Sequence, residues 1–93
     1  MDTANQKTAI QQELQSKLPE LRKRLGLSQS AFAELIGKSR QGVSLFERGE
    51  QTITWETCLA IIAVAVNRDE TVLMQLYGPQ FKENFQRIIK KQQ

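Results

Sequence analysis

Apolar side chains recur along this chain at spacings of three and four residues, the period that gathers them on one face of an α-helix. The first run is a set of leucines at Leu14, Leu18, Leu21 and Leu25. Proline is tolerated in the first turn of a helix, and glycine commonly ends one. With Ser16 as N-cap, Pro19 in the first turn and Gly26 after the end, we predict a helix over residues 17–25.

Two short helices follow, each with a serine at its start and a glycine at its end. Ser28 caps the first, which is about eight residues long and ends at Gly37. Ser39 caps the second, which ends at Gly49. Their apolar positions are Phe32, Leu35 and Ile36, and then Val43 and Phe46. The pattern predicts two helices joined by a tight turn.

The second half of the chain predicts three more helices. Residues 55–66 are almost wholly apolar; their β-branched side chains are typical of a strand, but their length, their alanines and the lack of a pairing strand favour a buried helix. A turn at residues 67–69 precedes a helix at residues 72–77, which Gly78 and Pro79 end. Residues 79–93 form a separate amphipathic helix. The polar residues 1–15 form a tail or a weak helix, of which we favour the tail.

Composition narrows the functional class. A chain of 93 residues holds one compact domain and offers little room for a deep catalytic cleft. It has no histidine and a single cysteine, Cys58, which excludes the usual zinc sites and the histidine-dependent nucleophile pairs. We therefore expect neither an enzyme nor a metal or cofactor. The apolar stretches are too short for a membrane span, and the polar start lacks the apolar region of a signal peptide. A lone cysteine fits a reducing compartment. We therefore expect a cytoplasmic protein.

The strongest functional signal lies between Gly26 and Gly49, in the stretch GLSQSAFAELIGKSRQGVSLFERG. This stretch is similar to helix-turn-helix domains of the phage-repressor and Cro (XRE) family in its GLSQ start, its Phe32-Ala33 pair, its glycine turn, its Ser-Arg helix opening and its Glu-Arg-Gly end. The resemblance covers about residues 18–77. It implies an all-α fold, in which a five-helix, lambda-repressor-like domain at residues 16–78 carries the additional C-terminal helix, encoded by a bacterium or a phage.

The chemistry of the second short helix suits the major groove of DNA. Arginine can donate two hydrogen bonds to guanine, glutamine can pair with adenine, serine is adaptable, and leucine can contact a thymine methyl. Side chains of these types project opposite Val43 and Phe46, at positions that by resemblance are the family's usual base readers: Arg40, Gln41, Ser44 and Leu45. The alternative is that they form an ordinary solvated helix face.

Phosphate contacts are expected at the starts of the two short helices and in the turn and loop beside them, where backbone N–H groups and polar side chains attract anions. The candidates are Ser28, Gln29, Ser30, Lys38, Ser39, Arg48, Gln51 and Thr52. By resemblance, Gln29 binds a phosphate and supports the recognition helix. Glu50 departs from this pattern, because an acid in the loop repels the DNA backbone.

Two further expectations concern structure rather than binding. The resemblance implies an ion pair between Arg22 and Glu47, whose loss would cost about 3 to 5 kcal/mol if the pair is partly buried and under about 1 kcal/mol if it is exposed. Trp55 and Phe46 lie on apolar faces or at a helix start, so we expect them in the core and not as stacking platforms for bases.

The C-terminal helix needs a surface to cover. One monomer reads about four or five base pairs, and specific binding usually comes from a two-fold dimer on half-sites about 34 Å apart. We therefore expect a homodimer interface built from Val72, Leu76, Tyr77, Phe81, Phe85, Ile88 and Ile89. The alternative is that this helix folds back over its own domain.

Two functional classes remain open at this point. The first is a transcriptional regulator that binds double-stranded DNA, most simply a repressor, which can also repress its own promoter. The second is an antitoxin, which binds a toxin protein and uses the helix-turn-helix to regulate its own operon. An RNA-binding or purely protein-binding helical module is a third reading. The net charge of +3, from 13 basic and 10 acidic residues, is compatible with a polyanionic partner.

Overall fold

A computed structural model describes residues 3–91, and over this range the chain is helical with no strand. This confirms the predicted all-α fold. The helices are α1 (Thr3–Ser16), α2 (Leu18–Arg24), α3 (Gln29–Ile36), α4 (Arg40–Glu47), α5 (Trp55–Tyr77) and α6 (Pro79–Lys91). None of the helices in this range is long and apolar enough to cross a membrane.

The predicted caps of the two short helices are present. The Ser28 hydroxyl accepts a hydrogen bond from the Ala31 backbone N–H, and the Ser39 hydroxyl accepts one from Gly42, both at 3.0 Å. Each bond satisfies one of the backbone donors that a helix start leaves without a partner. Ser16 is not the cap of α2, as we had predicted, because it is the last residue of α1 and its hydroxyl donates to the Glu13 carbonyl.

Residues 3–16 form a helix and not the tail that we favoured for this polar segment. Helix α1 buries Ile10 and Leu14, which are 2% and 0% exposed, against α5 and α6. Leu14 therefore belongs to α1 and not to the leucine face of α2. The sequence signal was weak because so few apolar residues lie on this helix, and contacts with other helices supply the stability that its polar composition does not.

The two helices predicted at residues 55–66 and 72–77 are parts of one bent helix, α5. The bend lies at Asp69, whose backbone leaves the helical region with φ −166° and ψ 93°. The Asp69 carboxylate accepts a hydrogen bond from the Thr71 backbone N–H at 3.1 Å, so it caps the second part of the helix. The predicted turn is thus a kink, and the strand alternative for residues 55–66 is wrong.

The core lies between α5 and the shorter helices. Phe32, Val43 and Ile61 are fully buried in it, and the Cys58 thiol is also buried, which raises its pKa to about 12. Phe46 is buried, and the half-buried Trp55 packs against Phe85 with ring centroids 6.0 Å apart. Both aromatic residues therefore contribute to packing, as expected.

Helix α6 folds back over α1 and α5. This is the alternative that the sequence left open, and it corrects the predicted dimer interface. Four of the seven residues that we assigned to that interface are at most 7% exposed within the chain itself, so they are not available to a second copy: Val72, Leu76, Phe81 and Ile88. The other three, Tyr77, Phe85 and Ile89, are partly buried. The apolar stripe correctly indicated burial but did not identify the surface that buries it.

Candidate nucleic-acid interface

Helices α3 and α4 are joined by a tight turn that fixes their crossing. Gly37 adopts a left-handed conformation, with φ 72°, and so ends α3. The Lys38 backbone N–H donates to the Ala33 carbonyl at 2.8 Å, which satisfies one of the last carbonyls of α3. Ala33 itself is 2% exposed, and its small side chain suits the close packing of α3. The turn therefore places the N-terminus of α4 at the surface.

Helix α4 has one face in the core and one in solvent. Val43 and Phe46 are 0% and 4% exposed and hold the helix against the rest of the domain. Arg40 and Gln41 on the other side are exposed, whereas Ser44 and Leu45 are half-buried. The buried Val43 and Phe46 and the exposed Arg40 and Gln41 lie on the sides that the sequence predicts, whereas Ser44 and Leu45 are less exposed than a fully outward face would make them.

A buried ion pair connects α4 to α2. Arg22 Nε donates to Glu47 Oε2 at 2.6 Å, and the two side chains are 11% and 7% exposed. Arg22 also donates through Nη1 to the Leu27 carbonyl at 2.9 Å. The partners are the two residues that the family resemblance implied, and the pair is buried rather than solvated. It stabilises the C-terminal end of α4 relative to α2.

Gln29 takes part in the same network. Its Nε2 donates to Glu47 Oε1 at 3.1 Å, and Arg22 Nη2 donates to the same oxygen at 3.2 Å. In this arrangement the Gln29 side chain supports α4. Its predicted contact with a phosphate would have to use the second amide proton, or follow a rearrangement of this network.

Arg48 and Glu50 contact each other at the end of α4. The Arg48 guanidinium forms an ion pair with the Glu50 carboxylate, and its Nη1 donates to the Ser44 hydroxyl at 2.9 Å. Glu50 therefore pairs with a residue that we had predicted as a phosphate ligand. The contact joins Ser44, a predicted base reader, to the loop that follows α4.

The remaining predicted phosphate ligands are exposed. The hydroxyls of the two caps, Ser28 and Ser39, each accept a backbone hydrogen bond and retain their own proton for donation. The other exposed candidates are Ser30, Lys38, Gln51 and Thr52. The structure thus places the predicted DNA-binding residues on α3, the turn, α4 and the following loop.

The loop is also held by α1, which the sequence did not predict. Gln15 Nε2 donates to the carbonyls of Phe46 and Gln51 at 2.9 and 2.7 Å, and its Oε1 accepts from the Ile53 N–H at 3.2 Å. Gln11 donates to the Ile53 carbonyl at 2.7 Å. In the sequence, two glutamines one helical turn apart look like part of an ordinary polar helix face. Only the fold therefore identifies these contacts.

The part of the chain that is described contains no group of three or more acidic, cysteine or histidine side chains that could hold a metal ion.

Comparison with known proteins agrees with this geometry. Residues 20–64 match a family model described as helix-turn-helix, and this span contains α3, the turn, α4 and the start of α5. No curated protein and no solved structure matches the chain. Helices α1 and α6 lie outside the matched span.

Proposed function

We propose that the protein is a sequence-specific regulator that reads double-stranded DNA with α4, on the premise that residues 20–64, which match the helix-turn-helix family model, act as a domain of the Cro and phage-repressor type. Such a domain is typical of DNA-binding regulators of transcription. Repression follows most simply, because a domain bound across a promoter blocks access to it.

The outer face of α4 carries this proposal. Arg40 and Gln41 are exposed, and within residues 3–91 neither side chain makes a hydrogen bond or ion pair to the protein. The opposite face of the helix is held by the core and by Glu47. A rigid helix that presents an unengaged arginine and glutamine offers the donors and acceptors that guanine and adenine require in the major groove.

The flanking polar groups support the same orientation. The N-termini of α3 and α4 present backbone N–H groups beside Ser28 and Ser39, where an anion is favoured. Lys38 lies in the turn between them, and Gln51 and Thr52 lie in the loop beyond α4. Phosphates bound at these points would fix the position of α4 in the groove without selecting a sequence.

The test is a binding titration with DNA from the region upstream of the gene and with an unrelated duplex, at two salt concentrations. We expect selective binding with a steep salt dependence. Arg40→Ala and Gln41→Ala should each cost about 1 to 3 kcal/mol on the selected site and relax its sequence preference. Arg87→Ala removes one exposed cation from α6 and is the matched control, with little effect expected on preference.

An equal loss of affinity for selected and unrelated DNA in Arg40→Ala would contradict the base-reading role, because it would make Arg40 a phosphate contact. Equal weak binding of both duplexes by the unaltered protein would contradict the proposal that the protein is a sequence-specific regulator. The protein would then fit a partner-binding class such as the antitoxins, which co-purification with a toxin would identify.

We further propose that the protein acts as a homodimer, through a surface that shares only Phe81 and Phe85 with the predicted one. A groove of about 380 Å³ lies between α5 and α6, beside the bend of α5, and we call it the α5–α6 groove. Its walls include Val66 and Met74, which are 48% and 39% exposed although both are large apolar side chains. Glu70 and Lys82 also line it, so in a two-fold arrangement each charge of one copy can face the opposite charge of the other.

Sedimentation of the full chain tests this surface. Met74→Glu places a charge in the α5–α6 groove and should shift the protein from dimer to monomer. Leu35→Glu is the matched control, because Leu35 is 51% exposed on α3 and should leave the dimer intact. A dimer that survives Met74→Glu, or an unaltered protein that is monomeric at all concentrations, would contradict the assignment. A groove that binds a different protein chain instead would favour the antitoxin class.

A further inference from the structure

Three side chains form a chain of contacts that starts on the DNA-facing side of α4 and ends in the loop beyond it. Ser44 lies on α4, Arg48 follows it by one helical turn, and Glu50 lies in the loop. Arg48 donates to the Ser44 hydroxyl at 2.9 Å from Nη1 and forms its ion pair with Glu50 from Nε. The guanidinium is therefore attached at two points, one of them a predicted base reader.

The backbone explains why Glu50 reaches Arg48. Gly49 turns the chain with φ 73°, a conformation that favours glycine. The Glu50 N–H then donates to the Leu45 carbonyl at 2.9 Å, and the loop folds back along α4. Gln15 of α1 also holds this loop, because its side-chain amide donates a hydrogen bond to the Gln51 carbonyl. Glu50 is thus placed beside α4 by the fold and not only by attraction to Arg48.

The direction of the hydrogen bond decides what Ser44 can read. A serine hydroxyl has one proton to donate and two lone pairs that accept. Arg48 can only donate, so the Ser44 oxygen accepts from it and the hydroxyl proton remains available. A charged donor on the oxygen also polarises the hydroxyl toward donation. In this state Ser44 is best matched to a hydrogen-bond acceptor.

We infer that Arg48 and Glu50 are specificity-determining positioning residues, which make Ser44 a donor and so favour a base with an acceptor edge at the position that Ser44 faces. In the major groove guanine presents acceptors at N7 and O6 and thymine presents one at O4, adenine presents an acceptor at N7 beside a donor at N6, and cytosine presents only the N4 donor. The inference rests on the proposed function, since it concerns the selectivity of the same DNA-binding surface.

Glu50 determines whether Arg48 contacts Ser44 or a DNA phosphate. An arginine at the end of a recognition helix would otherwise bind a DNA phosphate, which adds affinity for every sequence. The carboxylate of Glu50 competes with phosphate for Arg48 and keeps the guanidinium on Ser44. Glu50, which looked unfavourable for DNA binding in the sequence, therefore lowers the affinity for all duplexes and raises the selectivity at one base pair.

The experiment begins with selection of binding sites from a random duplex pool by the full-length protein. Ser44→Ala then identifies the position that Ser44 reads, as the base pair whose preference weakens. At that position we expect the unaltered protein to prefer guanine or thymine over cytosine by about three- to tenfold, the range of one net hydrogen bond. Arg48→Met should reduce this preference toward one.

Glu50→Gln gives the sharpest result, because two readouts move in opposite directions. Release of Arg48 to a phosphate should raise affinity for all duplexes and steepen the salt dependence by about 0.9 in the log–log slope. At the same time the preference at the Ser44 position should fall toward one. Glu83→Gln makes the same change of charge on α6 and is the matched control, with the preference unchanged.

Three results would overturn the inference alone. These are a Ser44→Ala variant that weakens no position, an Arg48→Met variant that keeps the preference, and a Glu50→Gln variant that gains affinity with the preference intact. The last result would show that Glu50 only repels the DNA backbone. Failure of the selection to enrich any sequence would instead refute the proposed function and the inference together.

Discussion

Removal of Arg22 is the most direct test of how α4 is held. Arg22→Met keeps most of the aliphatic length of the side chain but removes the guanidinium. Glu47 then loses the donors at 2.6 and 3.2 Å and keeps only the Gln29 amide at 3.1 Å. The Glu47 side chain is 7% exposed, so water cannot replace the lost partner without local opening of the structure.

The expected cost follows from this burial. An exposed ion pair contributes under about 1 kcal/mol, whereas removal of one partner from a buried pair costs about 3 to 5 kcal/mol because a charge stays behind without compensation. The Leu27 carbonyl also loses its donor. We therefore expect Arg22→Met to lower the free energy of unfolding by about 3 to 5 kcal/mol, a large part of the 5 to 15 kcal/mol of a typical domain.

Urea unfolding followed by circular dichroism at the helical band measures this loss. Glu47→Leu and the double variant complete a thermodynamic cycle that isolates the interaction between the two residues. The double variant leaves no buried charge, so we expect it to be more stable than Arg22→Met. Lys23→Met is the matched control, since Lys23 is the exposed neighbour on α2.

The reasoning would be refuted by a cost of Arg22→Met below about 1 kcal/mol, which is the value of an exposed pair. A double variant less stable than either single variant would also refute it. Either result would mean that the pair is solvated in solution or that core packing alone holds α4.

The remaining predictions concern Tyr77, which is partly buried, and Cys58, which is fully buried, both outside the proposed DNA-binding surface. The Tyr77 hydroxyl donates to the Leu14 carbonyl at 2.7 Å, so Tyr77→Phe should lower the free energy of unfolding by about 1 to 2 kcal/mol in urea titrations. Burial, with a smaller contribution from Glu13, raises the pKa of Tyr77. Above about pH 10 the unfolded state therefore loses a proton that the folded state keeps. The free energy of unfolding should fall as the pH rises above this value, and it should fall less steeply in Tyr77→Phe. Cys58 is fully buried and its pKa is raised to about 12, so a thiol reagent at pH 8 should label it only as fast as the chain unfolds; rapid labelling of the native protein would contradict its placement.

The sequence was most informative where local chemistry determines structure. Ser28, Gly37 and Ser39 mark helix ends through bonds and conformations that depend on their immediate neighbours. The alternation of apolar and polar positions then separated the buried Val43 and Phe46 from the exposed Arg40. The helix-turn-helix was therefore recoverable from the residues themselves.

The sequence was least informative where tertiary contacts decide. Helix α1 has few apolar residues, and the hydrogen bonds of Gln15 to three separate backbone groups have no signature in the chain around it. The pairing of Arg48 with Glu50 was missed for a related reason. It depends on the turn at Gly49, which brings the carboxylate back along α4.

The amphipathic pattern of α6 shows a different limit. A stripe of apolar residues indicates that a helix face is buried. The pattern is the same whether the chain itself or a second copy covers that face. Phe81 and Ile88 turned out to be buried within the chain. What the stripe could not reveal is the groove that this arrangement leaves beside Met74, because that groove exists only once α5 bends and α6 folds back.

On the proposed function, α4 must be held rigidly enough to select a sequence although it has only eight residues. An isolated helix of that length is not stable in water, so its position must come from its surroundings. Here Arg22 and Gln29 hold the end of α4 from within the matched domain, whereas Gln15 holds it from α1, outside that domain. Since Gln15 binds both the Phe46 carbonyl of α4 and the Gln51 carbonyl of the loop, α1 connects the proposed recognition helix to the loop that places Glu50. On the proposed function, the N-terminal helix therefore supports the DNA-binding surface, because it holds both α4 and the loop that follows.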